Sequence, residues 1–167
     1  MMRIFWLIFI FSYFTVTGGD IINREGEVIG YATVYQKGSG LLLKLTLQGL
    51  KSGWHGMHIH AVGTCEDYAD GFIKSGSHFN PEEKTHGVFD NHGYHAGDLA
   101  NIFVDKSGAA HIEQIIPNMS SLYYREHFSS ADAALIIHSG PDDYTTQPTG
   151  DSGARVACAV LSASAGK

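Results

Sequence analysis

The stretch from Gly76 to Asp98 concentrates the residues of this chain that could do chemistry. Its sequence, GSHFNPEEKTHGVFDNHGYHAGD, contains four potential metal donors: His78, His86, His95 and Asp98. The stretch has little hydrophobic periodicity, whereas elements that pack a core repeat their apolar residues every 2 or 3.6 positions. Imidazole and carboxylate groups are typical ligands of a divalent cation such as zinc. The stretch therefore predicts a long loop that is ordered around a metal ion.

A second group of donors lies upstream, in the segment HGMHIH. If this segment is a strand, His58 and His60 point to the same face, about 6–7 Å apart along it. One metal ion could then sit between the two imidazoles. A solvated polar face is the alternative, although polar faces usually mix residue types. His138 adds a further donor at the end of a short apolar run, Ala133–Ile137.

Six of the 10 histidines have a local reason to be ligands. With the aspartate, the candidate donors are His58, His60, His78, His86, His95, His138 and Asp98. A tetrahedral zinc site takes four ligands, and an imidazole-rich copper site takes three or four. Seven donors can fill two four-coordinate sites if one ligand is shared. An imidazole deprotonated on both nitrogens is the group that could bridge two cations in this way.

The elements that must position these donors read as short strands. Leucines at every second position from Leu41 to Leu47 indicate a half-buried antiparallel strand over Gly40–Gln48. Further strands are predicted over Glu27–Gln36 and Arg155–Leu161, with a hairpin formed by Leu99–Val104 and Ala109–Ile116. A second glycine-rich loop spans Ser139–Ala154. With 20 Gly and only 4 Pro, the chain favours an antiparallel sandwich or barrel.

The N-terminal residues stand apart from the rest. Arg3 precedes an almost unbroken apolar run, Ile4–Phe14, and Val16-Thr17-Gly18 supplies small residues for cleavage. Because the run is shorter than the roughly 20 residues that span a bilayer, we predict a secretory signal peptide over residues 1–18, followed by one domain over residues 19–167. An uncleaved N-terminal anchor is the alternative. The net charge of −6 argues against a nucleic-acid partner.

The 2 cysteines, Cys65 and Cys158, both fall in the part predicted to be exported. In an oxidising compartment they have a single possible pairing. Such a bridge would close nearly the whole domain, and the chain-entropy model puts loops of that size at about 4–5 kcal/mol. Two reduced, buried thiols are the alternative.

Six motifs taken together resemble the copper/zinc superoxide dismutase family. In order they are HGMHIH, GSHFNP, His86-Gly87, HAGDL, the strand-end His138 and GARVAC, within a match from about Gly30 to Leu161. The resemblance implies an all-β Greek-key sandwich or barrel, immunoglobulin-like, with two long functional loops. It also implies a Cys65–Cys158 disulfide. The position of Cys65, five residues after His60, is similar to that in the bacterial, periplasmic branch.

The same resemblance implies one copper and one zinc ion per subunit. Copper would be bound by His58, His60, His78 and His138. Zinc would be bound by His78, His86, His95 and Asp98, which makes His78 the bridging imidazolate. Asp142 matches the carboxylate that links a copper histidine to a zinc histidine and so fixes the orientation of both rings. Asp143 lies next to it and could be confused with it.

The implied reaction is the disproportionation of superoxide to dioxygen and hydrogen peroxide, an antioxidant activity. Electron transfer falls to copper because zinc has no redox chemistry, and His78 takes up and releases a proton. Arg155 matches the arginine that receives the small anion. The loop Ser139–Ala154 is shorter than in eukaryotic members and has no lysine, so Lys74 and Lys84 are the candidates for steering the substrate.

Two other functions stay open at this point. One is a non-enzymatic protein of the same fold that stores or delivers copper. The other is a zinc hydrolase, for which Glu82 or Glu83 would be the general base. The sequence predicts an exported protein, periplasmic or extracellular, with no membrane contact once the leader is removed. A homodimer is compatible with it, but no interface can be identified.

Overall fold

The chain folds into short strands joined by two long loops. The computed structural model describes residues 15–37, 40–116 and 133–161. Within them lie β1 (Thr15–Asn23), β2 (Val28–Lys37), β3 (Gly40–Gln48), β4 (Gly53–His55), β5 (Met57–His60), β6 (Ile102–Val104), β7 (Ala109–Ile115), β8 (Ala133–His138) and β9 (Arg155–Leu161). Two single-turn 3-10 helices, Tyr68–Asp70 and Ile73–Ser75, interrupt the connection from β5 to β6. No helix in this described part is long and apolar enough to cross a membrane.

Seven strands form one curled antiparallel sheet in the order β5-β8-β9-β1-β2-β3-β7. The remaining two, β4 and β6, form a short ribbon. Since Gly56 alone separates β4 from β5 and a tight turn leads from β6 to β7, the ribbon connects the two edges of the sheet. Strands that are neighbours in space but distant in sequence, such as β3 and β7 or β5 and β8, show the crossing connections of a Greek key. The predicted all-β Greek-key architecture is confirmed.

The alternating pattern of β3 explains how the sheet buries its core. Its leucines at positions 41, 43, 45 and 47 are 2%, 0%, 2% and 4% exposed, while Lys44 and Thr46 face outward. β3 pairs with β2 on one side and with β7 on the other. The strand predicted over Gly40–Gln48 is therefore confirmed in type and bounds.

The predicted hairpin of residues 99–104 and 109–116 is wrong in its pairing. The turn forms, and the N–H of Asp105 donates to the carbonyl of Ala109 at 2.9 Å. The ladders on either side lead elsewhere, because β6 pairs with β4 and β7 pairs with β3. The sheet curls at this corner, and β6 meets β4 through the cross-strand pair of Trp54 and Phe103.

Two long loops begin at β5 and β8, which are antiparallel neighbours in the sheet. One joins β5 to β6 over residues 61–101, and the other joins β8 to β9 over residues 139–154. Residues 1–14 of the predicted leader lie outside the described residues. β1 begins at Thr15, within that predicted segment, and pairs Thr15 with Gln36. The leader and its cleavage stay a prediction.

Candidate metal centre

Two adjacent strands bring three imidazoles together. β5 pairs with β8, with His58 opposite Ile136, and every residue of β5 is buried. His58 and His60 are 0% and 1% exposed, and His138, the last residue of β8, is 3% exposed. The ring centroids of His58 and His138 are 4.8 Å apart. The backbone ladder thus fixes these three side chains before any ligand is considered.

The long loop is stitched to the outer edge of β5, and this brings His78 to the strand histidines. Ile59 donates its N–H to Gly97 at 2.8 Å and accepts from the N–H of Phe79 at 2.8 Å. Gly97 permits this close approach, because a Cβ there would lie 2.3 Å from the carbonyl oxygen of Ile59. The ring centroids of His78 and His58 are consequently 3.9 Å apart, and the rings are stacked.

Four buried nitrogens at this point have no hydrogen-bond partner among the described residues. They are Nδ1 of His58 and Nε2 of His60, His78 and His138. One ligand atom from each residue can be chosen so that all four lie within 4.8 Å of one another. Buried polar atoms are normally paired, so four unpaired nitrogens that converge need a common partner. A cation that prefers imidazole, such as copper, fits this donor set.

The second nitrogen of each of these rings contacts a carboxylate or a main-chain carbonyl, which fixes the orientation of the ring. Nε2 of His58 lies 2.7 Å from Asp142 Oδ2, and Nδ1 of His78 lies 2.9 Å from Asp98 Oδ1. Nδ1 of His60 and of His138 donate to main-chain carbonyls, those of Gly76 at 2.9 Å and Gly153 at 3.0 Å. Such outer partners select the tautomer that leaves the other nitrogen free to bind a metal.

A second cluster forms around the buried carboxylate of Asp98. Its Oδ1 lies 2.9 Å from Nδ1 of His78 and 3.1 Å from Nδ1 of His95, and its Oδ2 lies 3.0 Å from Nδ1 of His86. The contact with His86 lacks the alignment of a hydrogen bond. The mutually close set here is His58, His78, His86 and Asp98. His95 adjoins it, with Nδ1 3.3 Å from that of His78. Three imidazoles and one carboxylate are a suitable set for zinc.

Asp142 joins the two clusters. It is 3% exposed, and its Oδ2 contacts His58 Nε2 at 2.7 Å while its Oδ1 contacts His86 Nε2 at 3.0 Å. Asp143 is exposed and accepts instead from Thr145 and Thr146 of its own loop. The structure thus places the first of the two neighbouring aspartates between the histidines.

Burial keeps the strand histidines neutral. It lowers the pKa of His60 to about 2, that of His58 to about 3 and that of His138 to about 4. Burial lowers the pKa of His78 as well, against the effect of Asp98. A neutral imidazole is the form that binds a metal. These side chains are therefore ready for a cation at neutral pH.

His86 behaves in the opposite way. Burial lowers its pKa, but the hydrogen bond with Asp142 and the contact with Asp98 outweigh this and raise it to about 9. Burial would raise the pKa of both carboxyls, yet their histidine partners hold it well below the usual range. A metal ion that binds His86 would therefore have to displace a proton from it.

Arg155 lies at the start of β9, next to the strand-borne imidazoles. Its Nη1 donates to the carbonyl of Phe72 at 2.7 Å and to Ser75 Oγ at 3.0 Å, and its Nη2 donates to the carbonyl of Gly76 at 2.8 Å. Together with His78 it lines a cleft of about 500 Å³. The guanidinium of Arg155 and the imidazole of His78 are thus accessible from the same cleft.

The predicted Cys65–Cys158 disulfide is confirmed, and it anchors the segment that holds Arg155. The Cα atoms of the two residues are 5.8 Å apart, and the bridge joins positions separated by 93 residues. It fastens the first part of the β5–β6 loop to β9. The alternative of two reduced thiols is excluded for this structure.

The remaining candidate residues lie away from the centre. His55 contacts main-chain carbonyls of His138 and Lys51 at 2.6 and 2.7 Å, a structural role. The side chain of His92 is 90% exposed beside Asp90. Also exposed are His111, Glu82, Glu83 and Lys74, while Lys84 is half-buried and pairs with Glu82 at 2.9 Å. His127 lies outside the described residues.

Two carboxamides that contact the site were not anticipated from the sequence. Asn101 accepts from the N–H of Asp142 at 2.9 Å and donates to its carbonyl at 2.8 Å. Gln147 makes the same pair of bonds with the main chain of His86, both at 2.7 Å. Neither residue belongs to a motif with a metal donor, so only the packing of the loops reveals them.

Known proteins that this chain resembles include superoxide dismutases and proteins described as similar to them. The family model described as copper/zinc superoxide dismutase (SODC) matches residues 28–161. A protein named superoxide dismutase [Cu-Zn] 2 from Aquifex aeolicus is 39% identical over 145 residues, which cover 85% of this chain and 84% of the relative. A protein named superoxide dismutase [Cu-Zn] from Caulobacter vibrioides is 38% identical over 82% of this chain and 80% of the relative. The crystal structure of a SOD-like protein from Bacillus subtilis superimposes with a TM-score of 0.78 at 32% identity, covering 89% of this chain and 99% of that one.

Proposed function

The chain belongs to the copper/zinc superoxide dismutase family, and on that premise we propose that it disproportionates superoxide. Two superoxide anions and two protons give one dioxygen and one hydrogen peroxide. The observation that carries the proposal is the set of four buried imidazole nitrogens that converge without hydrogen-bond partners among the described residues. This donor set lies beside a carboxylate-containing cluster, and His58 and His78 are close to the donors of both. His78 is the residue proposed to be shared, because its second nitrogen faces Asp98, whereas that of His58 faces Asp142.

The two clusters divide the metals between them in this proposal. Copper is held by His58, His60, His78 and His138. Zinc is held by His78, His86, His95 and Asp98, with one ion of each kind per chain. Bound copper supplies the one-electron redox chemistry of both half-reactions, which zinc cannot supply. His78 would serve both ions as an imidazolate, and Asp142 holds His58 and His86 in fixed relative orientation.

Arg155 binds and orients the substrate. Its guanidinium keeps its positive charge at any physiological pH and offers several N–H donors in a planar fork. The carbonyls of Phe72 and Gly76 hold it in place at the cleft. A donor group that is fixed in advance stabilises a small anion without reorganisation during the reaction.

His78 moves the proton. It lies in the same cleft as Arg155, and its buried Nε2 has no hydrogen-bond partner among the described residues, so this nitrogen is available to accept a proton. We assign its Nε2 as the atom that takes up a proton in one half of the cycle and returns it in the other. One of the two protons in hydrogen peroxide comes by this route.

The experiment that tests the proposal is reconstitution with copper and zinc, followed by an assay of superoxide disproportionation. The purified protein should be far faster than buffer with the same free copper. His78→Ala should lose that rate, and His111→Ala, which removes an exposed histidine of β7, should keep it. A rate equal to that of free copper would overturn the enzyme assignment.

Copper storage or delivery is the second candidate, since one of the similar solved proteins is described only as SOD-like. Binding of both metals without any gain in rate would favour this candidate. Arg155 argues against it, because a storage site has no need of a fixed anion-binding group beside an open cleft. A zinc hydrolase is disfavoured, since both candidate general bases, Glu82 and Glu83, are exposed.

We further propose that the protein is exported to a periplasmic or extracellular compartment. The apolar run Ile4–Phe14 supports a leader, and the Cys65–Cys158 disulfide suits an oxidising compartment. Mass spectrometry of the secreted or periplasmic protein should find an N-terminus close to Gly18. A mature protein that still begins at Met1 would contradict cleavage.

A further inference from the structure

The main chain of His86 forms two hydrogen bonds with a side chain of residues 139–154, the loop between β8 and β9. Gln147 Oε1 accepts from the N–H of His86 at 2.7 Å, and Gln147 Nε2 donates to the carbonyl of His86 at 2.7 Å. The orientation of the carboxamide follows from chemistry, since the N–H needs an acceptor and the carbonyl needs a donor. The pair of bonds imitates the two-way exchange between facing residues of antiparallel strands.

The two loops are in direct contact at this point. Gly87 has φ +100°, and a Cβ there would lie 2.0 Å from the carbonyl oxygen of Tyr144. His86 is 0% exposed, whereas Gln147 lies on the exposed outer side of its loop. A buried candidate ligand is therefore fixed from outside by an exposed residue.

The ring of His86 is held by the same loop. Its Nε2 lies 3.0 Å from Asp142 Oδ1, and Asp142 reaches on to His58 Nε2 at 2.7 Å. Residues 139–154 therefore contact His86 twice, through Gln147 at the main chain and through Asp142 at the ring. A shift of the His86 backbone would move the ring relative to both Asp142 and Asp98.

We propose that Gln147 is a positioning residue of the zinc site. Its carboxamide sets the distance between the His86 main chain and residues 139–154, so that Nδ1 of His86 faces the Asp98 cluster while Nε2 keeps its contact with Asp142. Zinc retention then depends on an exposed side chain that touches neither metal nor substrate. The proposal rests on the assignment of zinc to His86, but it does not require dismutase activity.

The test compares two substitutions at this position with a matched one elsewhere. Gln147→Met removes both bonds to His86 with little change in size, and Gln147→Glu keeps an acceptor for the His86 N–H but loses the donor to its carbonyl. Both variants also lose the longer bond from Gln147 Nε2 to the carbonyl of Thr145, at 3.2 Å. Gln48→Met is the control, because Gln48 is also an exposed glutamine that donates to a main-chain carbonyl, that of Ser107, far from the centre. The readouts are the zinc dissociation constant, the visible spectrum of the protein with cobalt(II) in the zinc site, and hydrogen exchange of the His86 N–H in the metal-free protein.

Gln147→Met should raise the zinc dissociation constant about tenfold, the lower end of the range for groups that orient a metal ligand. It should also alter the cobalt spectrum and speed exchange at the His86 N–H. Gln147→Glu should keep that N–H slow to exchange and weaken zinc less. Gln48→Met should leave all three readouts unchanged.

Equal zinc affinity and equal cobalt spectra in the wild-type protein and Gln147→Met would overturn the proposal. Equally fast His86 exchange in the Met and Glu variants would overturn it too, because the acceptor bond would then have no effect. Failure of the proposed function looks different. The wild-type protein would bind zinc with the expected dependence on Gln147 but would show no dismutase activity.

Discussion

The two halves of the centre obtain their histidines in different ways. His58, His60 and His138 lie on strands β5 and β8, where the backbone ladder holds them. His86, His95 and Asp98 lie on the long loop, where side-chain contacts hold them. A strand places its donors as a consequence of folding the core, whereas a loop needs further groups for the same precision.

The electrostatic state of the two halves differs accordingly. Burial lowers the pKa of the strand histidines, to about 2 for His60 and about 3 for His58, so they are neutral. On the loop side, burial of His86 is outweighed by Asp142 and Asp98, which raise its pKa to about 9. Without metal, the loop side thus resembles a network of ion pairs. The strand side is a group of neutral, buried imidazoles, each with one nitrogen that has no hydrogen-bond partner among the described residues. The positions and charges of the loop donors therefore depend on their side-chain partners, whereas those of the strand histidines depend on packing in the sheet.

Removing the covalent tie between loop and sheet should have the largest effect. The double substitution Cys65→Ser, Cys158→Ser releases a loop closed over 93 residues, which costs about 4–5 kcal/mol in the chain-entropy model. Chemical denaturation of the metal-free protein measures the loss, with reduced wild-type protein as the control. The loop segment that holds Arg155 should lose hydrogen-exchange protection before β8 and β9 do. A loss below about 1 kcal/mol would show that packing alone holds this segment.

Asp98→Asn should separate the halves most clearly. The change removes the charge that faces His78, His86 and His95, and breaking a buried pair costs about 3–5 kcal/mol, so zinc should bind about 10²- to 10⁴-fold more weakly. Competition with a coloured chelator measures this. Copper bound at the strand side should be retained. Parallel loss of both metals would contradict the distinction between the halves.

Acid should weaken the metal-free protein through the strand side. A histidine with a lowered folded pKa destabilises the fold once the unfolded chain takes up protons, below its ordinary value of 6.5. Between pH 6.5 and pH 5.5 the three strand histidines together should cost about 3 kcal/mol. The raised pKa of His86 works the other way, since its stabilising contribution is complete below pH 6.5 and is lost as the pH rises through about 9. Urea unfolding from pH 5.5 to above pH 9 measures both effects. An unchanged midpoint between pH 6.5 and pH 5.5 would contradict the effect of the strand histidines.

Substrate steering should show the smallest effect. Among the described residues that line the cleft, Arg155 carries the permanent positive charge. Lys74 does not line the cleft, but it is exposed and follows Ile73 of the lining in sequence. Lys74→Gln should lower kcat/KM by about twofold or less at low salt, and the difference should vanish near 0.15 M, where the Debye length is about 8 Å. Lys84→Gln, at a lysine paired with Glu82, is the control. A tenfold fall would mean that Lys74 dominates the attraction of the anion.

Much of the fold was predictable because its signals are local. The alternation of leucines in β3 defines a half-buried strand, and the two histidines of β5 follow the same period of two. β1 was not predicted, since its Gly18-Gly19 pair and its position beside the leader conceal the strand. The false hairpin arose because a turn shows that two segments are joined but not which neighbours they choose. Strand β6 pairs with β4 because the sheet curls at this corner.

The candidate donors, which the structure brings close together, were easier to find in the sequence than the residues that support them. Imidazoles and carboxylates announce a metal through their type and spacing, as with His58 and His60. Asn101 and Gln147 act through main-chain atoms of other loops, and a carboxamide in a loop carries no comparable signal. The choice between Asp142 and Asp143 likewise needed the structure, because adjacent aspartates differ only in the direction that each points.

We propose that His78 is a ligand of both metals, and magnetic resonance can distinguish a shared imidazole from an unshared one. Zinc(II) has no unpaired electrons, whereas copper(II) and cobalt(II) both have them, so a shared imidazolate would couple the spins of copper and cobalt. The protein loaded with copper and zinc should give a full copper(II) signal. The protein loaded with copper and with cobalt in the zinc site should lose that signal, and His86→Ala should restore it by removing the cobalt. A copper signal of equal strength with zinc and with bound cobalt would contradict the shared ligand and the account built on it.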